Sequence, residues 1–411
     1  MPATVPGSPV LTLRVNILFL AQRVPYPPNR GDKISTWRIC ERFSREHDLT
    51  IVAFAHDQAD LDAARVLNEE KGIRTIAIPH NERSQKIRSL PLLLTNKPLT
   101  LGVFSSKELE RQVNELLPKM DLGYAFSSSM GAFLTGKGVP WVMHFAELDS
   151  DKWRQYADKH RFPMSVVYRR EWKTLRAFES KISHETITNV FCTPLEEDIF
   201  QKEIPGCPST VMRNGVALDH YQPSPDAAED GHLVFIGVMD YFPNVDGCVW
   251  FANEIFPLIR REVPHARFTI VGSKPTAEVL ALGSRDAIEV TGFVDDPREY
   301  LKKAAVSVAP LRVARGIQNK VLEALAMGLP TVGTTSATQG VEGTPGQDFL
   351  VADTAEAFAA RVVELLKDPA RARALGDRGR EFVEGTYDWE TCLRPLDDMI
   401  DRVRTLKKPV G

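Results

Sequence analysis

The sequence predicts an α/β fold of two Rossmann-like domains with parallel sheets, on three observations. Short apolar runs alternate with amphipathic helical stretches along the chain. The rhythm restarts near residue 233, just after YQPSPDAAEDG (221–231), a segment of linker composition. At 411 residues the chain also exceeds what one ordinary core organises. Alternation of this kind gives a parallel sheet, and its repetition gives two.

The first half opens with an apolar strand at 15–20, a Pro- and Gly-rich loop at 22–32 and an amphipathic helix over 33–44. Further strands are predicted at 49–55, 74–78, 123–127, 139–144, 188–192 and 209–213. The second half has strands at 233–237, 267–272, 288–291, 306–309 and 331–334, with helices such as 246–262 and 355–366 between them. The expected organisation is a disordered leader at 1–14, a first domain at 15–222 and a second at 223–388. A last helix, 389–411, either stays with the second domain or crosses back to the first.

Composition narrows the function classes. Charged residues make up 26% of the chain and the net charge is −3, which argues against a generally basic nucleic-acid binder. The cysteines, Cys40, Cys192, Cys207, Cys248 and Cys392, are scattered without paired ligand spacing. This favours a reducing cytosol over a zinc or disulfide framework. No apolar run approaches the ~20 residues of a membrane span, and the N-terminus lacks the charged start and cleavage site of a signal peptide. A cytoplasmic location follows as the expectation.

The most informative stretch is 312–332, RVARGIQNKVLEALAMGLPTV. A strand precedes it, and its helix is predicted to stop at Gly328 with Pro330 just beyond. Val321, Leu322 and Leu325 fall on one helical face, suited to packing on a sheet; Gly316, Asn319, Lys320 and Glu323 fall on the other. Helix N-terminal N–H groups attract an anion, and open α/β sheets bind ligands at this edge. At 1.5 Å rise per residue, Glu323 lies on the order of 8 Å along the helix from the first-turn amides. That suits a nucleotide-diphosphate site with a carboxylate for the sugar hydroxyls. An ordinary crossover helix with a solvated face is the alternative. Neither half carries GxGxxG after its first strand, so a dinucleotide-binding oxidoreductase is disfavoured.

These motifs resemble those of family 4 glycosyltransferases. Asn214, Gly215 and Val216 with Asp219 and Pro223 resemble that family's hinge signature, and GIQNKVLEALAMGLPTV resembles its E-x7-E donor region. Gly272 in IVGSKP and Val294 in TGFVDD sit in runs similar to its sugar-nucleotide and base-contacting loops. FLAQRVPYPPNRGDKIS, LDSDKWRQYA and FIGVMDYFPNVDG are similar to blocks of the sugar transferases associated with exosortase (PEP-CTERM) and exopolysaccharide loci. The resemblance implies a GT-B fold, two facing Rossmann-like domains with the donor held mainly by the second. It further implies retention at the anomeric carbon and no obligatory metal or other cofactor. Domain closure around the donor is expected to exclude water.

Two departures matter. The position eight residues before Glu323, where the family carries its first glutamate, holds Arg315. The basic residues usual after the second domain's first strand are replaced by Val238, Met239, Asp240 and then Asn244. Arg312, Arg315 and Lys320 become the candidates to balance a leaving diphosphate, since Arg grips phosphate bidentately.

The expected donor site thus comprises Gly31, Asp240, Asn244, Gly272, Val294, Arg312, Arg315, Gly316, Gln318, Asn319, Lys320 and Glu323. Lys320 and Glu323 are joined in catalysis by His144, which ends a first-domain strand near where relatives place a histidine toward the donor sugar. Each has a bland counterpart: a surface lysine, a solvated glutamate, a structural histidine, a turn glycine, and arginines paired with Asp295 or Asp296. Asp149, Ser150, Asp151 and Lys152 form a polar cluster suited to an acceptor. The segments 152–181, with nine Lys/Arg interleaved with aromatic residues, and KIRSLPLLLTNK (86–97) suit an anionic membrane bearing a lipid-linked acceptor. The expected function is transfer of a sugar from a nucleotide-diphosphate donor to a glycan or lipid-linked acceptor, with no nucleic-acid partner. A sugar-nucleotide epimerase and a non-catalytic sugar-nucleotide binder are the alternatives.

Overall fold

The computed structural model describes residues 14–224, 227–314 and 316–407; the expected leader lies almost entirely outside them. The chain divides into two compact units, Met1–Met212 with Leu393–Gly411, and Arg213–Cys392. The division falls ten residues before the predicted boundary. Tyr221, read as linker, and His220 before it are fixed within the second unit. Their carbonyls accept from Arg380 Nη1 (2.6 Å) and Arg298 Nη1 (2.9 Å) respectively.

The first unit is built on seven parallel strands: β1 (Asn16–Ala21), β2 (Asp48–Ala55), β3 (Arg74–Pro79), β4 (Leu122–Phe126), β5 (Trp141–Phe145), β6 (Thr188–Phe191) and β7 (Ser209–Val211). Their order is β3-β2-β1-β4-β5-β6-β7. The central strands are apolar on both faces because helices cover both, as the continuous runs NILFLA and LTIVAFA require. The helix Pro395–Lys407 returns to this unit, where Asp397 meets Arg42 (2.9 Å) and Arg402 donates to the Ile187 carbonyl (3.1 Å).

The second unit has six parallel strands: β8 (His232–Ile236), β9 (Arg267–Val271), β10 (Ile288–Gly292), β11 (Val306–Ala309), β12 (Thr331–Gly333) and β13 (Leu350–Val351), in the order β10-β9-β8-β11-β12-β13. The two-residue β13 was not predicted. Its one register pair beyond the start, Gly333 with Val351, is too short to leave a periodic signal. The predicted helix 246–262 is instead Phe242–Trp250, a π turn and Phe256–Glu262. Pro243 and Pro257 each sit at or beside a helix start, where a missing N–H costs nothing.

The helix Asn319–Ala326 is clamped from behind by Pro369–Thr386. Gly376 lies where a Cβ would overlap the Gly328 carbonyl oxygen, and a Cβ at Gly379 would meet the Leu325 side chain at 2.7 Å. Gly376→Ala is therefore expected to destabilise the second unit. Overpacking against backbone costs roughly 1–3 kcal/mol, against about 1 kcal/mol gained in helix propensity. A lowered urea midpoint at unchanged m-value is the expected reading; a raised midpoint would show that the approach is not tight.

Candidate functional site

In the second unit the carboxyl ends of β8, β9 and β10 carry Gly237, Gly272 and Gly292. Gly237 N–H donates to Val271 O (3.0 Å) and Gly272 N–H to Gly292 O (3.2 Å). Gly272 has φ +152°, and a Cβ there would collide with the Gly237 carbonyl oxygen. Only glycine lets these backbones run so close, and the result is an edge open to a ligand's approach. Exposed apolar side chains ring the same edge: Val238, Tyr241 and Phe242 after β8, Phe293 after β10 and Val313 after β11. Val294 differs, since its side chain packs inward beside Val234, Val271 and Ala324.

The helix Asn319–Ala326 starts here, after β11. Gly316 takes a left-handed conformation (φ +58°) that strains any L side chain, and its carbonyl packs so closely on Gly340 that a Cβ there would collide with it. Gln318 is the N-cap residue, and its side chain makes no cap hydrogen bond. Asn319, its first residue, is exposed. The helix ends at Ala326, with Gly328 left-handed (φ +68°) beyond it, as the stop signal predicts.

Lys320 and Glu323 lie on this helix's polar face and are half-buried. Lys320 Nζ donates to Asn244 Oδ1 (2.5 Å) and stands 4.7 Å from the Phe235 ring centroid. Asn244 is buried and donates in turn from Nδ2 to Val238 O (2.8 Å), which fixes its amide. No carboxylate lies within ion-pair distance of Lys320 among the described residues. Loss of hydration pulls its ammonium down to about 8, so it remains largely charged at neutral pH. Burial raises the Glu323 carboxyl above the usual range, opposed by the Tyr221 hydroxyl bonded to it and by Lys320. Tyr221 was invisible in the sequence because the surrounding Pro, Asp and Ser residues read as linker.

Arg312 is already engaged. Its guanidinium grips Asp246 through Nε (3.0 Å) and Nη2 (2.5 Å) and lies 5.6 Å from the Trp250 ring centroid. The expected arginine pairing with Asp296 is made by Arg298 (2.6 Å). Arg315 lies outside the described residues. Asp240 is exposed, with Lys274 at 3.7 Å.

In the first unit the predicted residues are placed differently. Gly31 is the first residue of helix Gly31–Glu46, and a Cβ there would meet nothing within 4 Å, so the chain's own packing does not demand glycine. His144 is buried within β5. Its Nδ1 bonds the Tyr124 hydroxyl (2.8 Å), Cys192 Sγ lies 3.6 Å from Nε2, and Phe126 packs on the ring. Burial pulls it down to about 3, so it is a neutral histidine built into the sheet rather than one presented to solvent. Asp149 accepts from Ser128 Oγ (2.6 Å), Ser150 is buried, and Asp151 is held by Arg154 (2.7 Å) and Gln155 (2.6 Å). Of the expected acceptor cluster, Lys152 is the exposed member, 3.9 Å from Glu147. Behind it, buried Glu179 accepts from Ser150 N–H (3.2 Å), and burial beside Asp149 pushes its carboxyl up to about 8.

Two units built on parallel Rossmann-like sheets are the architecture of GT-B glycosyltransferases. Residues 230–368, which hold the whole Lys320–Glu323 site except Tyr221, match the family described as Glycosyl transferases group 1. A GDP-mannose-dependent α-(1-6)-phosphatidylinositol monomannoside mannosyltransferase of Mycobacterium tuberculosis is 32% identical over 159 residues, 35% of this chain. The match spans 41% of that enzyme, so less than half its length. An uncharacterized 44.6 kDa protein in the cps region of Klebsiella pneumoniae is 20% identical over 90% of this chain and 96% of its own. The crystal structure of Anabaena HepE in complex with UDP superposes with a TM-score of 0.66 at 13% identity, covering 94% of this chain and 100% of that one.

Tyr221→Phe removes the hydroxyl bonded to Glu323 while keeping the ring. It should cost the second unit about 1–3 kcal/mol, the penalty for leaving a buried polar group unpaired. Chemical denaturation measures this; an unchanged stability would return Tyr221 to the role of a linker residue.

Proposed function

We propose that this chain transfers a sugar, with retention at the anomeric carbon, from a nucleotide-diphosphate donor to a glycan or lipid-linked acceptor in exopolysaccharide or related glycan synthesis. The observation that carries the reading is Lys320: a half-buried cation with a neutral amide and an aromatic face for company, in the first turn of a helix that starts at the sheet's carboxyl edge. A diphosphate supplies the counter-charge such a group lacks. Breaking the anomeric bond puts further negative charge on the leaving diphosphate. A preorganised ammonium and first-turn N–H groups stabilise that charge more than the ground state. Glu323, oriented by Tyr221, would accept from the donor's ribose hydroxyls, and the backbone beside Val294 would border the base. In this reading the charge is balanced by Lys320 and the helix start rather than by a resident metal. Donor bases named for the relatives, GDP for the mycobacterial enzyme and UDP for HepE, support the nucleotide-sugar class and leave the base open.

A thermal-shift screen across UDP-, GDP-, ADP- and TDP-sugars identifies the donor, and turnover is then followed with it in the presence of EDTA. Lys320→Ala should lower turnover by about 10²–10³ without unfolding the protein; undiminished turnover would overturn the role. The pH dependence has a defined sign. Above about 8 the free protein loses the Lys320 proton that the bound diphosphate requires. Nucleotide affinity should thus fall with rising pH, by up to about tenfold per unit, and Lys320→Ala should flatten the dependence.

On the acceptor side, the first unit holds an exposed apolar and basic segment in a fixed place. Arg170 donates to the carbonyls of Leu92 (2.5 Å) and Lys97 (2.9 Å), and Glu171 accepts from the N–H groups of Leu99 (2.7 Å) and Thr100 (2.8 Å). Ile87, Leu90 and Leu94, the last 92% exposed, stand out beside Lys86, Arg88 and Lys97. No helix among the described residues is long and apolar enough to cross a membrane, and this segment suits peripheral contact with anionic lipid. Leu94→Asp is expected to abolish co-flotation with phosphatidylglycerol vesicles; equal flotation of both proteins would remove the segment from that role.

A further inference from the structure

A second site lies at the carboxyl edge of the first unit's sheet, where β2 and β3 end. His56 follows β2, His80 follows β3, and with Asn81, Glu82, Arg83 and Lys86 they line a cavity of about 450 Å³. That volume falls within the range of small-ligand pockets.

Three features of its wall point to one kind of occupant. His80 is buried, its N–H group donates to Ala55 O (2.8 Å), and its ring stacks on Phe104 at 5.6 Å between centroids. Its Nε2 has no hydrogen-bond partner, a state that costs a buried polar atom about 1–3 kcal/mol until something bonds it. His56 stands 5.1 Å away, ring to ring; its Nε2–H donates to Gln22 O (2.9 Å), which leaves Nδ1 as an acceptor for a ligand's hydroxyl. On the rim, Lys86 is paired with Glu82 (2.7 Å), whereas the exposed Arg83 meets no carboxylate among the described residues. Burial and the neighbouring His56 hold the His80 ring below the ordinary histidine range, so it offers one N–H without adding charge.

We infer that this cavity binds an oxyanion, a phosphate ester on a molecule of sugar-phosphate size, through Arg83 and the imidazoles of His56 and His80. Arg83 supplies the formal charge and a bidentate grip. The imidazoles supply directed hydrogen bonds from the strand ends: His80, fixed by its stack on Phe104, donates from Nε2, and His56 Nδ1 accepts the proton of a singly protonated phosphate. Glu82 does not repel the ligand while Lys86 neutralises it. The inference deepens the acceptor side of the proposed function and rests on that reading for the ligand's role. Binding itself is tested without turnover.

The test uses the full chain with isotope-labelled histidine and follows the His56 and His80 ring resonances at constant ionic strength. The probes are glucose 1-phosphate, inorganic phosphate, phosphatidylglycerol vesicles and, as the control, chloride. Saturable shifts of both rings with a phosphate probe, weakened about tenfold by Arg83→Ala, are expected. Saturation by glucose 1-phosphate indicates a soluble sugar phosphate; saturation by the vesicles alone indicates a phosphate carried on lipid. Arg83 is exposed, so its replacement leaves the fold intact, and the affinity for the donor nucleotide should not change. Shifts absent with every phosphate probe, reproduced by chloride, or unaltered by Arg83→Ala would overturn the site while leaving the donor reading untouched.

Discussion

A half-buried cation with no carboxylate in ion-pair distance among the described residues organises the carboxyl edge of the second unit. Lys320 can be held there because three things are arranged around it: the Phe235 face, the fixed Asn244 amide and a helix whose buried side is locked on the sheet. Each depends on the others. Asn244 is oriented by the Val238 carbonyl, and a Cβ at Gly237 would meet the Asn244 side-chain nitrogen at 2.7 Å. The glycines at the ends of β8 and β9 are thus the condition for the amide, and the amide is the condition for the ammonium. A buried pair with a carboxylate would satisfy the lysine permanently and leave nothing for a ligand to do. Partial satisfaction by a neutral amide keeps the cation in place and still in need of charge.

The sequence made the sheets legible because parallel strands buried on both faces read as near-continuous apolar runs, as β1, β2, β4, β5 and β8 do. It also showed the polar face that carries Lys320 and Glu323, since helical spacing is a local property. Long-range partners were not legible. Nothing local distinguishes Tyr221 from its linker-like surroundings, yet it bonds a residue about a hundred positions away. Arg312 reads as a free loop cation, but Asp246, on a helix after a different strand, takes it up. His144 shows the opposite error. Its position at a strand end suggested contact with substrate, and the fold instead gave both ring nitrogens partners inside the sheet.

The first loop illustrates why composition is a poor guide to a loop's role. The family resemblance placed Gly31, at its end, toward the donor, with a simple turn glycine as the alternative. In the structure the loop is held by charge: buried Asp60 accepts from Lys33 Nζ (2.7 Å), Arg23 Nη1 (3.0 Å) and the His56 N–H (3.0 Å). One carboxylate therefore ties the loop after β1 to the loop after β2. Two basic residues, Arg23 and Lys33, are consumed in that tie. Glu179 is the converse, a helix glutamate of ordinary appearance that is fully buried beside Asp149 and carries an elevated proton affinity.

These cases share a rule about charge. The net charge of −3 says little about anion binding, and neither does the local density of Lys and Arg. What matters is which cations remain without a carboxylate once the chain has folded. At the two sheet edges Arg23 and Lys33 are spent on Asp60, Arg298 on Asp296 and Arg312 on Asp246. Lys320 and Arg83 meet no carboxylate in ion-pair distance among the described residues. Lys320 sits at a helix start beside a ring of exposed apolar side chains, and Arg83 sits on a cavity with an unbonded imidazole nitrogen. Pairing of the surrounding cations sharpens both sites, because a ligand then meets a single oriented positive group rather than a diffuse field that any anion could satisfy.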